Sequence, residues 1–186
     1  MNIDQKVRLA INDDIENILT ICNNLLIKNR TKESRETLEK YGFLIAGDNK
    51  EKWQEIINDN KNCLTLVMQK KQEIIGYITG FDISMSHNQL QEIISSLLGL
   101  ENLERKIFYY KQIAKKTNHN NVGKPLFLEM IKEISKRKYS FVVCQIIHKP
   151  FKNCASIAFH EKLGFKLVAI TNDKDYSRGI YLKKLI

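Results

Sequence analysis

The chain has 186 residues, 43% of them hydrophobic and 27% charged, with a formal net charge of +9. That length suffices for one domain with a sizeable buried core, and the composition is globular rather than disordered or fibrous. No apolar run approaches the roughly 18 residues of a membrane span, and the opening MNIDQKVRLA lacks the apolar stretch of a secretory signal, so a cytoplasmic protein with no membrane partner is expected.

In chain order, Lys6–Ile11 alternates enough to predict a first strand with Val7, Leu9 and Ile11 on one face. Asn12 or Asp13 can cap a following helix, in which Ile15, Ile18, Leu19, Cys22 and Leu26 recur at helical spacing. Thr31–Lys40 reads as a second, more polar helix, and Gly42–Gly47 as a short extended piece. Lys50–Asn58 predicts a helix around Trp53, Ile56 and Ile57. Two strands follow, Cys63–Gln69 and Glu73–Ile83, joined as an antiparallel hairpin by a turn at Lys70-Lys71 that lacks the Asn-Gly or Asp-Gly signal. Leu90, Ile93, Ile94, Leu97 and Leu98 then mark an amphipathic helix ending at Gly99, within the segment His87–Glu104.

Lys106–Lys115 is a further strand. The next helical core face is Val122, Leu126, Phe127, Met130, Ile131 and Ile134, with Pro125 in the first turn, where its missing N–H has no helical partner to lose. Lys138–Lys149 is a near-continuous apolar strand, as for one buried on both faces. Phe165–Thr171 and Gly179–Lys184 are two last strands joined by a polar turn.

Thirty Lys and Arg against twenty-one Asp and Glu favour polyanionic partners in general: nucleic acid, membrane headgroups or a phosphorylated cofactor. The cations are scattered apart from Lys132, Lys136, Arg137 and Lys138 near a predicted helix end, where the macrodipole favours positive charge anyway. Aromatic–basic interleaving and a helix-turn-helix signal are missing, so no nucleic-acid partner is predicted. Cys22, Cys63, Cys144 and Cys154 form no C-x-x-C pair and read as buried free thiols. His87, His119, His148 and His160 have no carboxylates at zinc-site spacing, so no metal is predicted.

The stretch with the sharpest signal is Asn153–Phe165, NCASIAFHEKLGF. Asn153 suits an N-cap, and Gly164 falls where a left-handed residue ends a helix. Asn153, Ser156 and His160 fall on one side of that helix, and Ala155, Phe159 and Leu163 form an adjacent apolar stripe suited to packing on a sheet. Glu161 and Lys162 read as solvated surface. These thirteen residues resemble motif B of the GNAT superfamily of N-acetyltransferases, N-x-x-[AS]-x-x-[FL]-[YH]-E-K-L-G-F. With Ser156 and His160 the stretch is most similar to the phosphinothricin-type acetyltransferases. The order I-I-G-Y-I-x-G in Ile74–Gly80 also resembles the family's third strand, and Lys106–Lys115 its fourth.

The resemblance implies an α/β (α+β) fold over residues 1–186 as a single GNAT-like domain: a central mixed, mostly antiparallel sheet of six to seven strands flanked by helices. In most GNAT proteins a tight turn replaces residues 86–105. That helical insertion stands as a lid over the acceptor site, a contact in a homodimer, or an extra core helix.

A strand, a loop and a helix N-terminus in succession make a ready anion site. In GNAT proteins this loop carries Q/R-x-x-G-x-G/A and holds the coenzyme A pyrophosphate. Counting back from Gly123, Asn118 takes the Q/R position and Asn121 the first glycine position, and both depart from the pattern. Asn121 is a tolerable left-handed substitute for glycine. Lys124 can offset the lost arginine as a point charge. If Lys111–Ala114 is equated with the family's strand end instead, the loop is about two residues short.

What the resemblance implies chemically is direct acetyl transfer from acetyl-CoA, as co-substrate, to a primary amine of a small molecule or peptide. The family's fourth and fifth strands would splay to admit the pantetheine arm, with cofactor contacts from Gln112, Ile113, Ala114, Asn118, Asn121, Val122, Gly123, Lys124 and Asn153. Many GNAT proteins place a Tyr where this chain has His160, which becomes the expected proton-transfer residue. Asp82, Tyr109, Tyr110 or a water chain are the choices for a base. The imperfect loop and the missing Tyr motivate one alternative, a catalytically silent acyl-CoA-binding or regulatory module.

Overall fold

A computed structural model describes residues 5–99, 101 and 106–185. Seven strands build one sheet: β1 (Gln5–Leu9), β2 (Cys63–Lys70), β3 (Glu73–Asp82), β4 (Ile107–Lys115), β5 (Phe141–Lys149), β6 (Lys166–Asn172) and β7 (Ser177–Lys184). Their order is β1-β2-β3-β4-β5-β7-β6, and each neighbouring pair is antiparallel except β4 with β5. The helices among the described residues are α1 (Ile15–Leu25), α2 (Arg35–Tyr41), α3 (Lys50–Asn58), α4 (Asn88–Leu98), α5 (Gly123–Lys136) and α6 (Cys154–Lys162).

Strand alternation sends Leu66, Phe108, Tyr110, Val142 and Tyr181 to one face, where Leu126, Phe127 and Met130 of α5 and Ile157 of α6 cover them. The opposite face carries two clusters. Ile18, Trp53, Val67 and Tyr77 lie together under α1 and α3, and Leu90 and Ile94 of α4 lie with Ile107, Val143 and Ile180. The predicted insertion helix is thus part of the core on this face. Leu97 remains half-exposed, and residues 100 and 102–105 of the insertion lie outside the described residues.

Several expectations move. β1 stops at Leu9, and Leu9 and Ile11 stay half-exposed because β1 is the sheet edge; Val7 alone of the three packs inward. Neither Asn12 nor Asp13 caps α1 through its side chain. Residues Asn12–Asp14 form one 3-10 turn, in which buried Asp14 accepts from the Ile11 amide and from Arg8. The second helix starts at Arg35 rather than Thr31, with Ser34 accepting from the Thr37 amide. Within the short extended piece Gly42–Gly47, Leu44 makes a single bridge to Leu26. The hairpin turn falls at Lys71-Gln72, with Lys71 in the left-handed region at φ 55°. Of the cysteines, Cys154 is exposed while the other three are buried.

The largest correction concerns α6. Its Ala155–Phe159–Leu163 stripe was expected to pack on the sheet, with the side of Asn153, Ser156 and His160 turned to something else. Instead His160, Ile157 and Asn153 are buried and the stripe is only half-buried. The reason is local satisfaction: Asn153 caps the Ser156 amide and His160 binds the Ser156 carbonyl, so this face enters the core with its polar atoms already partnered.

Candidate active site

β4 and β5 pair over only three registers, Ile107↔Phe141, Phe108↔Val142 and Tyr109↔Val143. Beyond them the strands part, leaving Tyr110–Lys115 and Cys144–Lys149 with no ladder to each other. An antiparallel strand uses alternate backbone groups against each neighbour. β4 stays paired to β3 as far as Lys115, so the other half of its N–H and C=O groups face the gap.

A bulge accompanies the parting. Gly80 pairs with Tyr110 and Thr79 with Gln112, which makes Lys111 the extra residue. The alternation therefore changes phase: Phe108, Tyr110 and Ile113 reach the α5 side, while Gln112 and Ala114 turn to the α1 side.

Residues 43–48 cross the mouth of the gap as a strap. At one end the Asn153 side chain donates to the Phe43 carbonyl at 2.9 Å. At the other, Gln112 Nε2 donates to the Ala46 carbonyl at 3.3 Å and Lys111 Nζ meets Asp48 Oδ2 at 2.5 Å. Gln112 Oε1 also accepts from Tyr77 at 2.7 Å. Residues on both sides of the parting are thus tied to one short segment.

Beyond β4 the chain turns through residues 116–122 into α5. Asn121 takes φ 59°, the left-handed conformation expected of it. No side chain among the described residues caps α5, so its first-turn amides at Gly123 and Lys124 keep an open, positive helix end. A β-carbon on Gly123 would sit 3.1 Å from the Phe159 ring and 3.6 Å from Ile113, so the glycine lets α5, α6 and β4 converge. Asn118, Asn121 and Lys124 are exposed beside this turn, while Val122 is buried in the core beneath it.

His160 sits in a setting unlike the one expected of a proton-transfer residue. It is 3% exposed, with its ring 5.2 Å from Tyr110 and 5.3 Å from both Phe159 and Phe165. Its Nδ1 lies 2.6 Å from the Ser156 carbonyl, which can only accept, so Nδ1 carries the proton and Nε2 the lone pair. Burial pushes its pKa down to about 4, with the Ser156 bond opposing in part. The ring is neutral at pH 7. Asn153, expected at the cofactor arm, uses its oxygen on the helix cap and its nitrogen on the strap.

The choices for a base separate as well. Asp82 is buried at the far end of β3, accepting from the Ser84 amide and the Tyr139 hydroxyl, both at 3.0 Å. Burial raises the pKa of Tyr109 and Tyr110, so neither ionises near neutrality. The Tyr109 hydroxyl reaches Gln145 at 3.4 Å, across the fork of the strands. The Tyr110 hydroxyl, buried beside His160, has no hydrogen-bond partner among the described residues. In the basic cluster Lys132 and Lys136 pair with Glu129 and Glu133, and Arg137 donates to the Cys63 carbonyl.

This arrangement of strands and helices is the GNAT acetyltransferase fold. A putative acetyltransferase, yncA, from Salmonella typhimurium, solved with acetyl-CoA, superposes with a TM-score of 0.68 at 16% identity, over 98% of this chain and 95% of that one. The PaiA N-acetyltransferase from Thermoplasma acidophilum, solved with coenzyme A, gives 0.66 at 19% identity, over 97% and 99%. A ribosomal-protein-alanine N-acetyltransferase from Brucella melitensis gives 0.66 at 18% identity, over 97% and 99%. No protein-family profile matches the chain, and no curated protein matches it in sequence. The likeness is one of fold.

Proposed function

We propose that the protein is an N-acetyltransferase of the GNAT type, moving an acetyl group from acetyl-CoA to a primary amine of a small molecule or peptide within a ternary complex. The observation that carries this reading is the parting of β4 and β5 beside an uncapped α5 N-terminus. The likeness of motif B to the phosphinothricin-type enzymes rests on Ser156 and His160.

The residues present suit the co-substrate. The unladdered backbone of Gln112, Ile113 and Ala114 can pair with a pantetheine arm, and the amides of Gly123 and Lys124, with Asn118, Asn121 and the Lys124 ammonium nearby, suit a diphosphate. Acetyl-CoA brings an activated carbonyl and a thiolate leaving group. A β4 amide in the gap polarises that carbonyl, a contribution of roughly 3 kcal/mol in acyl-transfer enzymes. The walls of the gap hold amine and carbonyl together, which removes much of the entropic barrier.

A primary amine with a pKa near ~10 has to lose a proton before it attacks; as the C–N bond forms and the C–S bond breaks, a water chain carries that proton to the leaving thiolate. His160 does not hold a transferable proton at neutral pH, because its single N–H is bound to Ser156. We assign its Nε2, which carries the lone pair, the role of a hydrogen-bond acceptor rather than that of the acid.

Isothermal titration of the full chain with coenzyme A, followed by a thiol-release assay over an amine panel, tests the reading. Binding with turnover is expected. Binding with no turnover on any amine would make the protein a silent acyl-CoA-binding module, and no binding would end the proposal.

A further inference from the structure

The two sides of the fork between β4 and β5 differ. On the α4 side Gln145 holds the Tyr109 hydroxyl and also walls a cavity of about 490 Å³ between α4, β5 and the β6–β7 hairpin, together with His87 and Arg178. On the strap side the chain brings an amine of its own to the gap, the ammonium of Lys111.

Lys111 is the residue that the bulge leaves unpaired with β3, at the point where β4 parts from β5. Its side chain and that of Gln112 both turn to the strap, where Lys111 Nζ meets Asp48 Oδ2 at 2.5 Å and Gln112 reaches the Ala46 carbonyl. The strap is seated firmly here: a β-carbon on Gly47 would lie 2.5 Å from the Cys22 sulfur of α1. Lys111 and Asp48 each stay partly exposed, so water reaches the pair.

The gap has a direction. The diphosphate turn lies past Lys115, so an arm held there and paired to Ala114, Ile113 and Gln112 runs back along β4 toward the fork. At roughly 3.3 Å per residue, Lys111 stands about 13 Å from Lys115. It is the next residue the arm meets after Gln112, and the acyl end of the donor therefore stops beside it. Lys115, Lys116 and Lys124 stand at the opposite end, next to the diphosphate turn, and Lys116 is held by Glu73.

We propose that Lys111 is a self-acetylation site: a donor seated in the gap passes its acetyl group to Lys111 Nζ of the same molecule, and the modification loosens the strap. The step rests on the acetyltransferase reading for its donor. The ammonium gives one proton to water and its nitrogen attacks the thioester carbonyl. The C–N bond forms as the C–S bond breaks, and the second proton goes to the coenzyme A thiolate. The resulting amide is uncharged and has lost the ion-pair donor, so the tie to Asp48 is gone. The strap then keeps its bonds to Asn153 and Gln112 alone of the three.

Incubation of the full chain with acetyl-CoA deuterated in its acetyl group, followed by peptide mass spectrometry, tests this, with the urea-unfolded chain as the measure of uncatalysed acetylation. Lys111 is expected to take label at least tenfold faster than it does in the unfolded chain, and tenfold faster than Lys115 or Lys116 in the folded one. The rate constant should not depend on protein concentration, as transfer within one molecule requires. The labelled protein should be cut within residues 42–49 faster than the unlabelled protein. Labelling of Lys111 no faster than in the unfolded chain, or a rate constant that rises with protein concentration, overturns self-acetylation. Labelled protein cut no faster than unlabelled overturns the release of the strap. Coenzyme A binding and thiol release on an added amine, without label at Lys111, sink this inference and leave the acetyltransferase reading standing; label at Lys111 with no turnover on any amine does the reverse.

Discussion

The side-chain nitrogen of Asn153 donates to the Phe43 carbonyl at 2.9 Å, joining residues 110 apart in the chain, while the oxygen of the same amide caps α6. One buried side chain therefore starts the motif helix and anchors the strap across the gap. Asn153→Ala removes both bonds and leaves a buried carbonyl unpartnered, with an expected loss of about 2–3 kcal/mol in chemical denaturation. Asn153→Ser keeps the cap but cannot reach Phe43, so it should cost less and still loosen the strap. Equal stability of all three proteins would remove this double role.

The strap's other anchor is weaker. Lys111 and Asp48 keep 29% and 20% of their side chains exposed, so solvent screens the pair and its contribution is at most about 1 kcal/mol. Lys111→Met is expected to change the melting temperature little but to speed proteolytic cutting within residues 42–49. Unchanged cutting would show that Gln112 and Asn153 hold the strap without it.

His160 links the site to acid stability. Its folded pKa of about 4 lies below the ordinary 6.5, so between these values the unfolded chain binds more protons than the folded one. The stabilisation is complete above pH 6.5 and is lost as pH falls toward 4, a total on the order of 3 kcal/mol. Melting temperatures across that window should fall more steeply for the native protein than for His160→Gln. The kcat profile should show no inflection near 6.5 that His160→Gln abolishes; if one appears, the imidazole is titrating in function and the assignment of a neutral acceptor is wrong.

Gly76 lies beneath the turn that leads into α5. A β-carbon there would meet Val122 Cγ1 at 2.4 Å and the Ala114 carbonyl at 2.9 Å, so side chain and backbone both have to move. Gly76→Ala is expected to cost about 1–3 kcal/mol and to weaken coenzyme A binding through the displaced turn. Adding Val122→Ala should recover part of the stability, since it relieves the side-chain clash and not the backbone one. A Gly76→Ala protein with native affinity would uncouple the turn from β3.

Local chemistry made much of this molecule legible in advance. Lys50–Asn58 as a helix, the left-handed Asn121, the Asn153 cap and the left-handed Gly164 at φ 85° all depend on short-range backbone preferences that residues carry with them. The hydrophobic periods likewise marked the strands and the insertion helix. The inward turn of His160 was not legible, because periodicity sorts residues by polarity and does not count whether a polar atom finds its partner within its own helix. Nor was the strap, whose bonds join Phe43 to Asn153 and Asp48 to Lys111 across 110 and 63 residues. The pocket between α4, β5 and the β6–β7 hairpin belongs to the same class. The chain order fixed which groups were available, and only packing in three dimensions brought Arg178, Gln145 and His87 around one space, since no interaction near in sequence specifies that meeting.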